Sequence, residues 1–161
     1  MAAPLSLKAR AIALLAQREH SRIELRRKLL RLAPQLAGAD AESEDPAVVQ
    51  SRVDALLDEL LAQGYLSESR FAESRIHART ARHGNLRIKM ELAQHGLTLS
   101  EQQQSELESS ELERARQVWA RKFDAVAVND PKLLARQMRF LAARGFSAEV
   151  IRRVVRAELD E

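Results

Sequence analysis

The sequence contains no cysteine, so it can form neither a disulfide framework nor a thiolate metal site. Aromatic residues make up only 4% of it, and five glycines leave little material for a phosphate-cradling loop. The longest stretch without Asp, Glu, Lys or Arg is 92–100, far short of the roughly 20 apolar residues of a membrane span. The apolar run at 11–16 is too short for the core of a signal peptide. We therefore expect a soluble, cytoplasmic protein with no membrane segment.

Patterns typical of catalytic sites are also absent. The sequence has no HExxH spacing, no nucleophile elbow, no P-loop and no GxGxxG. Glu24 and Glu91 each precede a leucine in similar positions, and we interpret both as surface or capping residues rather than as an acid/base pair. The sequence thus predicts a binding protein with no catalytic residue, no cofactor and no metal site.

Leucine and alanine at helical spacing are what the sequence has in abundance. Apolar residues make up 45% of the chain, and they recur at intervals of three and four in nearly every segment. Ser21 with Glu24 predicts a capping box, and Asp130 before Pro131 predicts a helix start. The stretch from Ala33 to Pro46 is polar and is predicted to be a solvated loop. These signals predict an all-α fold.

Three segments share one pattern, in which Leu is followed four residues later by Gly and then by an apolar residue. They are 60–65, 92–97 and 141–146, and each precedes a serine that is suited to cap the next helix: Ser67, Ser100 or Ser147. The repetition predicts three tandem three-helix repeats, with boundaries at 1–66, 67–110 and 111–161. Since one such repeat buries little surface by itself, the repeats should stack.

The net charge of +3 is distributed in blocks of alternating sign. Residues 1–36, 70–96 and 114–161 are basic, whereas 37–69 and 97–113 are acidic. One interpretation is a set of ordinary solvated helix faces. The other is an interrupted basic stripe, built where the second helices of the repeats stack, that neutralises phosphates or acidic partner residues. The residues assigned to it are Arg26, Arg27 and Lys28, then Arg87 and Lys89, then Arg136 and Arg139.

Two aromatic residues and one motif leave alternatives open. We interpret Trp119 as a core residue rather than a base-stacking platform. The hydroxyl of Tyr65 could border a core or meet a partner. A helix, a Gly turn and a second helix are also typical of DNA-reading helix-turn-helix proteins, but only the third segment, with Ile151 and Val154, has apolar residues at the required positions.

Four ordered motifs resemble the RecX family, bacterial regulators of the RecA recombinase. They are Arg18 to Leu25 (REHSRIEL), Gly64 to Ala72 (GYLSESRFA), Gly84 to Gly96 with Arg87, Ile88, Glu91 and Leu92, and Arg139 to Phe146 (RFLAARGF). The resemblance covers residues 8–156. The family's aromatic residue or proline after the mid-chain glycine is here Asn85.

The resemblance implies an elongated, curved module of three repeats that binds the RecA filament on single-stranded DNA. It implies inhibition of recombinase ATPase, strand exchange and the coprotease activity that triggers the SOS response, by a protein without catalytic residues. We expect a monomer, with weak direct DNA binding. Two other classes stay open, a DNA-binding protein independent of recombinase and a helical adaptor. The candidate residues for binding partner or DNA are Arg22, Arg26, Arg27, Lys28, Arg70, Arg75, Arg79, Arg82, Arg87, Lys89, Arg136, Arg139 and Arg144.

Overall fold

The computed structural model of the chain describes residues 5–36, 44–123 and 130–157. Within these ranges the chain forms eight α-helices and no strand, so the predicted all-α fold is confirmed. None of the described helices has both the length and the apolar character needed to cross a membrane. The helices are α1 (Leu7–Gln17), α2 (Arg22–Leu36), α3 (Pro46–Ala62), α4 (Glu68–Thr80), α5 (Asn85–Gln94), α6 (Glu101–Lys122), α7 (Pro131–Ala143) and α8 (Ala148–Ala157).

The chain divides into two compact units, Met1–Ser74 and Arg75–Glu161, with the division inside α4. In the first unit α2 packs on both α1 and α3. Its core is made of aliphatic residues at the predicted helical spacing, and burying them supplies most of the stabilisation of such a small unit. The core residues are Ala11, Leu25, Leu29, Val53, Leu56, Leu57, Leu60 and Leu66.

In the second unit α6, α7 and α8 pack against one another, and α5 packs on α6. Trp119 is 4% exposed, which confirms its interpretation as a core residue. The spacing of Leu134, Met138 and Leu141 predicts one apolar face for α7. The prediction is wrong at Met138, which is exposed, whereas the neighbouring Gln137 is buried. The core residues are Ala115, Val118, Trp119, Leu141, Phe146, Ile151, Val154 and Val155.

The predicted glycine turns are confirmed. Gly64, Gly96 and Gly145 have φ angles of 77°, 70° and 85°, the left-handed conformation that glycine adopts without steric cost. The predicted caps are confirmed too, because the Oγ atoms of the three serines that follow accept hydrogen bonds from backbone N–H groups three residues on. These bonds are Arg70 N to Ser67 Oγ at 3.2 Å, Gln103 N to Ser100 Oγ at 3.2 Å and Val150 N to Ser147 Oγ at 3.4 Å.

The first of these turns departs from the shared pattern. In the other two, the apolar residue directly after glycine is Leu97 or Phe146, and its N–H donates to the carbonyl of Leu92 or Leu141. In the first turn the N–H of Leu66 donates to the carbonyl of Leu60, one residue later than the pattern. Leu66 is therefore buried, while Tyr65 is 48% exposed.

Two boundaries predicted from the sequence fall inside helices of the structure. The sequence predicts an irregular stretch from Ala33, but α2 continues to Leu36 because Ala33 extends the buried row of Leu25 and Leu29. Residues 37–43 of that predicted loop lie outside the described residues. The boundary proposed at 110 lies inside α6, so we propose that the first half of α6 completes the second repeat and the second half opens the third.

Candidate partner and nucleic-acid interface

All thirteen candidate basic residues fall in described parts of the chain. Most of them lie on helices, and Arg82 and Arg144 lie in the turns that precede α5 and α8. The stripe residues lie on α2 (Arg26, Arg27 and Lys28), on α5 (Arg87 and Lys89) and on α7 (Arg136 and Arg139), and we propose that these are the second helices of the three repeats. Their charges are not equally available, because several are paired with carboxylates.

In the first unit the acidic block pairs with the basic block. Arg22 Nη1 lies 2.8 Å from Asp58 Oδ1, and Arg26 donates to both oxygens of Asp54 at 2.7 and 3.3 Å. The hydrogen bond from Arg26 holds the pKa of the Asp54 carboxyl below its usual range. These pairs join α2 to α3, so part of the charge expected on the stripe is compensated within the unit.

A second cluster surrounds the start of α2. Arg18 forms an ion pair with Glu24 and Lys28 lies 3.7 Å from the same carboxylate, while Ser21 Oγ caps the helix by accepting from Glu24 N at 3.1 Å. Burial raises the pKa of Glu24, but the hydrogen bond from Arg18 and the neighbouring positive charges outweigh it and lower the pKa to about 2. Burial lowers the pKa of His20, whose Nε2 lies 3.0 Å from Lys28 Nζ, an arrangement that favours the neutral ring.

The start of α4 is attached to this same region. Arg70 Nε lies 2.9 Å from Glu19 Oε1, and Arg70 Nη2 donates to the carbonyl of Gly64 at 2.8 Å. Glu68 Oε1 accepts from the backbone N–H of Arg22 at 3.2 Å. Arg70 therefore holds the α3–α4 turn in place, and its charge is partly compensated.

In the second unit one carboxylate serves two arginines. Arg79 Nε lies 2.7 Å from Glu91 Oε2, and Arg87 Nε lies 3.5 Å from Glu91 Oε1. Burial raises the pKa of Glu91, but the hydrogen bond and charge of Arg79 and the bond from Arg87 outweigh it, so the pKa lies below its usual range. Two positive charges against one negative charge leave this pair of helices with a positive excess.

Of the seven other candidate residues, Arg75 adds its positive charge near Glu91, and six have no ion pair to any residue in the described ranges. The guanidinium of one of them, Arg144, lies over the ring of Phe140, 5.3 Å from its centroid. The six are Arg27, Arg82, Lys89, Arg136, Arg139 and Arg144. All but Arg144 are exposed, so they are the members of the candidate set that are best placed to meet a negatively charged partner.

Exposed apolar side chains add a feature that the sequence pattern did not reveal. Leu86 and Met90, one turn apart on α5, are 57% and 50% exposed, and Lys89 lies between them in the sequence. Their spacing matches the helical period of a buried face, so periodicity alone gave no signal that they face solvent. Tyr65 is exposed as well, which favours the second of the two roles considered for it.

Comparison with known proteins identifies the family. A family model described as the second three-helix domain of RecX matches residues 67–101, and one described as the third three-helix domain matches residues 109–155. The chain belongs to the RecX family. A regulatory protein RecX from Ralstonia nicotianae is 46% identical over 155 residues, covering 94% of this chain and 87% of the relative. Those from Herminiimonas arsenicoxydans and Pseudomonas entomophila are 46% and 42% identical over 156 residues, covering 95% and 94% of this chain and 93% and 91% of the relatives.

The four motifs that resemble RecX proteins contact one another in two pairs, through residues in and beside their turns. The first and second motifs meet through the Arg70–Glu19 and Arg22–Glu68 contacts in the first unit. The third and fourth meet in the second unit, where Gly84 N donates to the carbonyl of Arg144 at 2.8 Å and Leu86 N donates to the carbonyl of Gly145 at 3.0 Å. In this chain the four motifs therefore pack against one another in two pairs.

A buried glutamate, Glu111, and a half-buried arginine, Arg114, complete the junction between the third and fourth motifs. Glu111 Oε1 accepts from Asn85 N at 3.1 Å and from Ser147 N at 3.4 Å. Arg114 donates to the carbonyl of His83 at 2.8 Å and forms a short hydrogen bond with Asn85 Oδ1. Asn85 is therefore a buried partner of α6 in this chain. Sequence reasoning missed Glu111 and Arg114, because their partners are distant in the sequence.

Proposed function

We propose that this RecX-family chain is a non-enzymatic regulator that binds the RecA recombinase filament on single-stranded DNA. It inhibits filament ATPase, strand exchange and coprotease activity, and so modulates recombination, DNA repair and the SOS response in the cytoplasm. It acts as a monomer, without a cofactor. Three-helix repeats with the proposed boundaries 1–66, 67–110 and 111–161 supply the binding surface.

The observation that carries this proposal is the set of cations left unpaired within the described chain, on a member of a family of regulatory proteins. Arg27 on α2, Lys89 on α5 and Arg139 on α7 are exposed, and each lies on the second helix of a proposed repeat. A filament presents phosphate charge together with mixed protein surface, so exposed basic residues can bind either. The paired residues, such as Arg26 and Arg70, support the fold that presents them.

Sedimentation of filaments tests the proposal directly. Purified protein is spun with recombinase assembled on single-stranded DNA, with recombinase alone and with DNA alone. We expect the protein to pellet with the filament far more than with either component. Equal pelleting with DNA alone would favour direct DNA binding, and no pelleting with the filament would contradict the proposal.

The exposed cations give a sharper test. We expect Lys89→Glu with Arg139→Glu to weaken ATPase inhibition by roughly tenfold, about 1.4 kcal/mol for the removal of two charge interactions. The difference from the wild type should shrink as salt rises, because screening weakens the wild-type charge interactions that the variant lacks. A control variant with the same charge change, Arg10→Glu with Lys132→Glu, should inhibit nearly as well as the wild type. Equal potency of both variants across a salt series would remove Lys89 and Arg139 from the interface.

One observation favours a second candidate function, direct binding to duplex DNA. Helix α8 follows the Gly145 turn with Ile151 and Val154 buried, as in a groove-reading helix, and it exposes Arg152 and Arg153. If α8 enters a groove, Arg152→Glu with Arg153→Glu should abolish duplex binding measured without recombinase. If the filament is the partner, the variant protein should still require recombinase for binding, to the same extent as the wild type.

A further inference from the structure

A cavity of about 310 Å³ lies in the second unit, between the end of α6, the end of α7 and the turn that precedes α5. This volume is within the range of small-ligand sites, roughly 300 Å³ upward, and it is many times what a water molecule needs. Among the residues that line it are four cations, Arg82, Arg121, Lys122 and Arg144, together with Phe140 and Val118.

The charge of this cavity is not compensated by any residue that the structure describes. Among the described residues no carboxylate lines it, and none of its four cations has an ion pair with any of them. This contrasts with the first unit, where Arg22 and Arg26 are neutralised by Asp58 and Asp54. Clustered charges of one sign in a concave site repel one another, so the cavity favours an anionic ligand.

Two of the guanidinium groups are held in place. Arg121 Nη1 donates to the carbonyl of Ala81 at 3.1 Å, which ties the end of α6 to the turn before α5. Arg144 lies over Phe140, whose ring meets that of Phe123 edge-on with 5.3 Å between centroids. Arginine held in a fixed orientation is suited to bind phosphate oxygens, because its planar fork offers parallel N–H donors.

The positive charges near the cavity also affect the pKa of a neighbouring histidine, His83. Burial lowers the pKa of His83, and the charges of Arg87 and Arg144 lower it further. The opposing effect of Glu91 does not cancel them. His83 is therefore kept neutral beside a group of cations.

We propose that this cavity is a phosphate-binding site, with Arg82, Arg121, Lys122 and Arg144 as its donors. A phosphate group can come from the backbone of a nucleic-acid strand or from a free nucleotide. That a DNA strand provides the phosphate rests on the proposed function, because a protein bound to the filament lies next to the phosphodiesters of its DNA. The Phe140 edge of the site, beside Arg144, offers an apolar surface for the sugar or base attached to that phosphate.

The test uses the full chain and a labelled oligothymidine strand, with binding followed by fluorescence anisotropy over a salt series. The site variant is Arg82→Glu with Lys122→Glu, and Arg82→Gln with Lys122→Gln is a milder second variant should the first lose its helical circular dichroism. We expect the site variant to bind at least fivefold more weakly. The slope of its log binding constant against log salt concentration should be shallower than that of the wild type. The difference should be about 0.7 for each phosphate that the variant no longer neutralises, which is the value for single strands.

The control variant, Arg10→Glu with Lys132→Glu, has the same change of net charge on residues outside the cavity. We expect it to bind within about twofold of the wild type, since only long-range electrostatics change. Site and control variants that bind the strand equally, and that also bind ATP and inorganic phosphate equally by calorimetry, would overturn the proposal.

A further comparison assigns the source of the phosphate. If the site variant loses ATP or inorganic phosphate binding but keeps strand binding, the site is confirmed with free nucleotide as its ligand. Filament sedimentation with the same proteins separates this site from the proposed function. Wild-type protein that fails to pellet with filaments, yet binds the strand through the site, would contradict the function and leave the site standing.

Discussion

At the scale of single residues, buried polar groups determine how the turns are held. One carboxylate oxygen of Glu111 accepts N–H groups from both Asn85 and Ser147, although Glu111 is only 6% exposed. Arg114 beside it is buried enough that its pKa is lowered, and it donates to carbonyl groups of the α4–α5 turn. Such groups cost free energy when a partner is removed, because the remaining donor stays buried and unbonded.

We therefore expect Glu111→Ala to lower the free energy of unfolding by about 3 kcal/mol, since two N–H groups lose their acceptor. Glu111→Gln keeps one side-chain oxygen and should recover a large part of this loss. Urea denaturation followed by circular dichroism measures both. Glu113→Ala, on the exposed side of the same helix, serves as the control. A loss no larger than that of the control would show that these hydrogen bonds do not stabilise the junction.

Acid should destabilise the first unit in part through Glu24. Its pKa is lowered from 4.5 to about 2, so the stabilisation from its ion pairs is complete above pH 4.5 and is lost as the pH falls toward 2. The difference in unfolding free energy between the wild type and Glu24→Gln should therefore shrink over this range. Glu73→Gln, at an exposed residue without an ion pair in the described ranges, serves as the control substitution. A difference that is independent of pH would contradict the assignment.

At the scale of elements, the close approach of two turns defines the second unit. A Cβ atom on Gly84 would lie 2.4 Å from the carbonyl atoms of Gly145 and from the N atom of Phe146. A Cβ atom on Gly145 would meet Arg87 at the same distance. The two glycines thus let the start of α5 approach the α7–α8 turn closely enough for backbone hydrogen bonds.

Two alanine substitutions separate steric overlap from backbone strain. Gly84→Ala creates a clash without a strained φ angle, and we expect it to cost about 3 kcal/mol of unfolding free energy. Gly64→Ala keeps a φ of 77° in open space and should cost only about 1 kcal/mol. Thermal unfolding of both variants measures the difference. A smaller loss for Gly84→Ala than for Gly64→Ala would show that the turns are not closely packed.

Local elements are the part of the fold that the sequence predicts well. The Gly turns, the Ser caps and the helix periods depend on residues within one or two turns of each other, so their signals are short-range. The predicted end of α2 is four residues early, because Pro34 suggests a helix breaker although Ala33 is buried. The ion pairs of Arg22 and Arg26 and the hydrogen bonds of Glu111 join residues 26 or more positions apart, which periodicity does not detect.

At the scale of the whole molecule, charge is distributed differently from what the sequence blocks suggest. The acidic residues of 37–69 include direct partners of arginines in α2, so the first unit compensates part of its own charge. The second unit keeps several cations unpaired within the described ranges, including those of the cavity. A basic block in the sequence is thus a poor guide to available positive charge until its partners are known.

The whole chain should lack catalytic turnover. The sequence has no phosphate loop and no nucleophile–base pattern, so we expect the purified protein to hydrolyse neither ATP nor DNA. Phosphate release and gel assays at several steps of purification measure this, with recombinase on single-stranded DNA as a positive control. Turnover that follows the protein through every step would contradict the expectation.

Helix α6 fixes the relative rotational positions of the buried residues at its two ends. It runs without a break for 22 residues, with Leu107 and Glu111 buried on its earlier turns and Val118 and Trp119 on its later ones. Because an α-helix turns by about 100° per residue, deleting or inserting one residue in the middle of α6 would rotate one set away from its neighbours. Insertions and deletions between residues 107 and 119 should therefore be rare among homologues of this protein. Substitutions in the same segment should be tolerated far better.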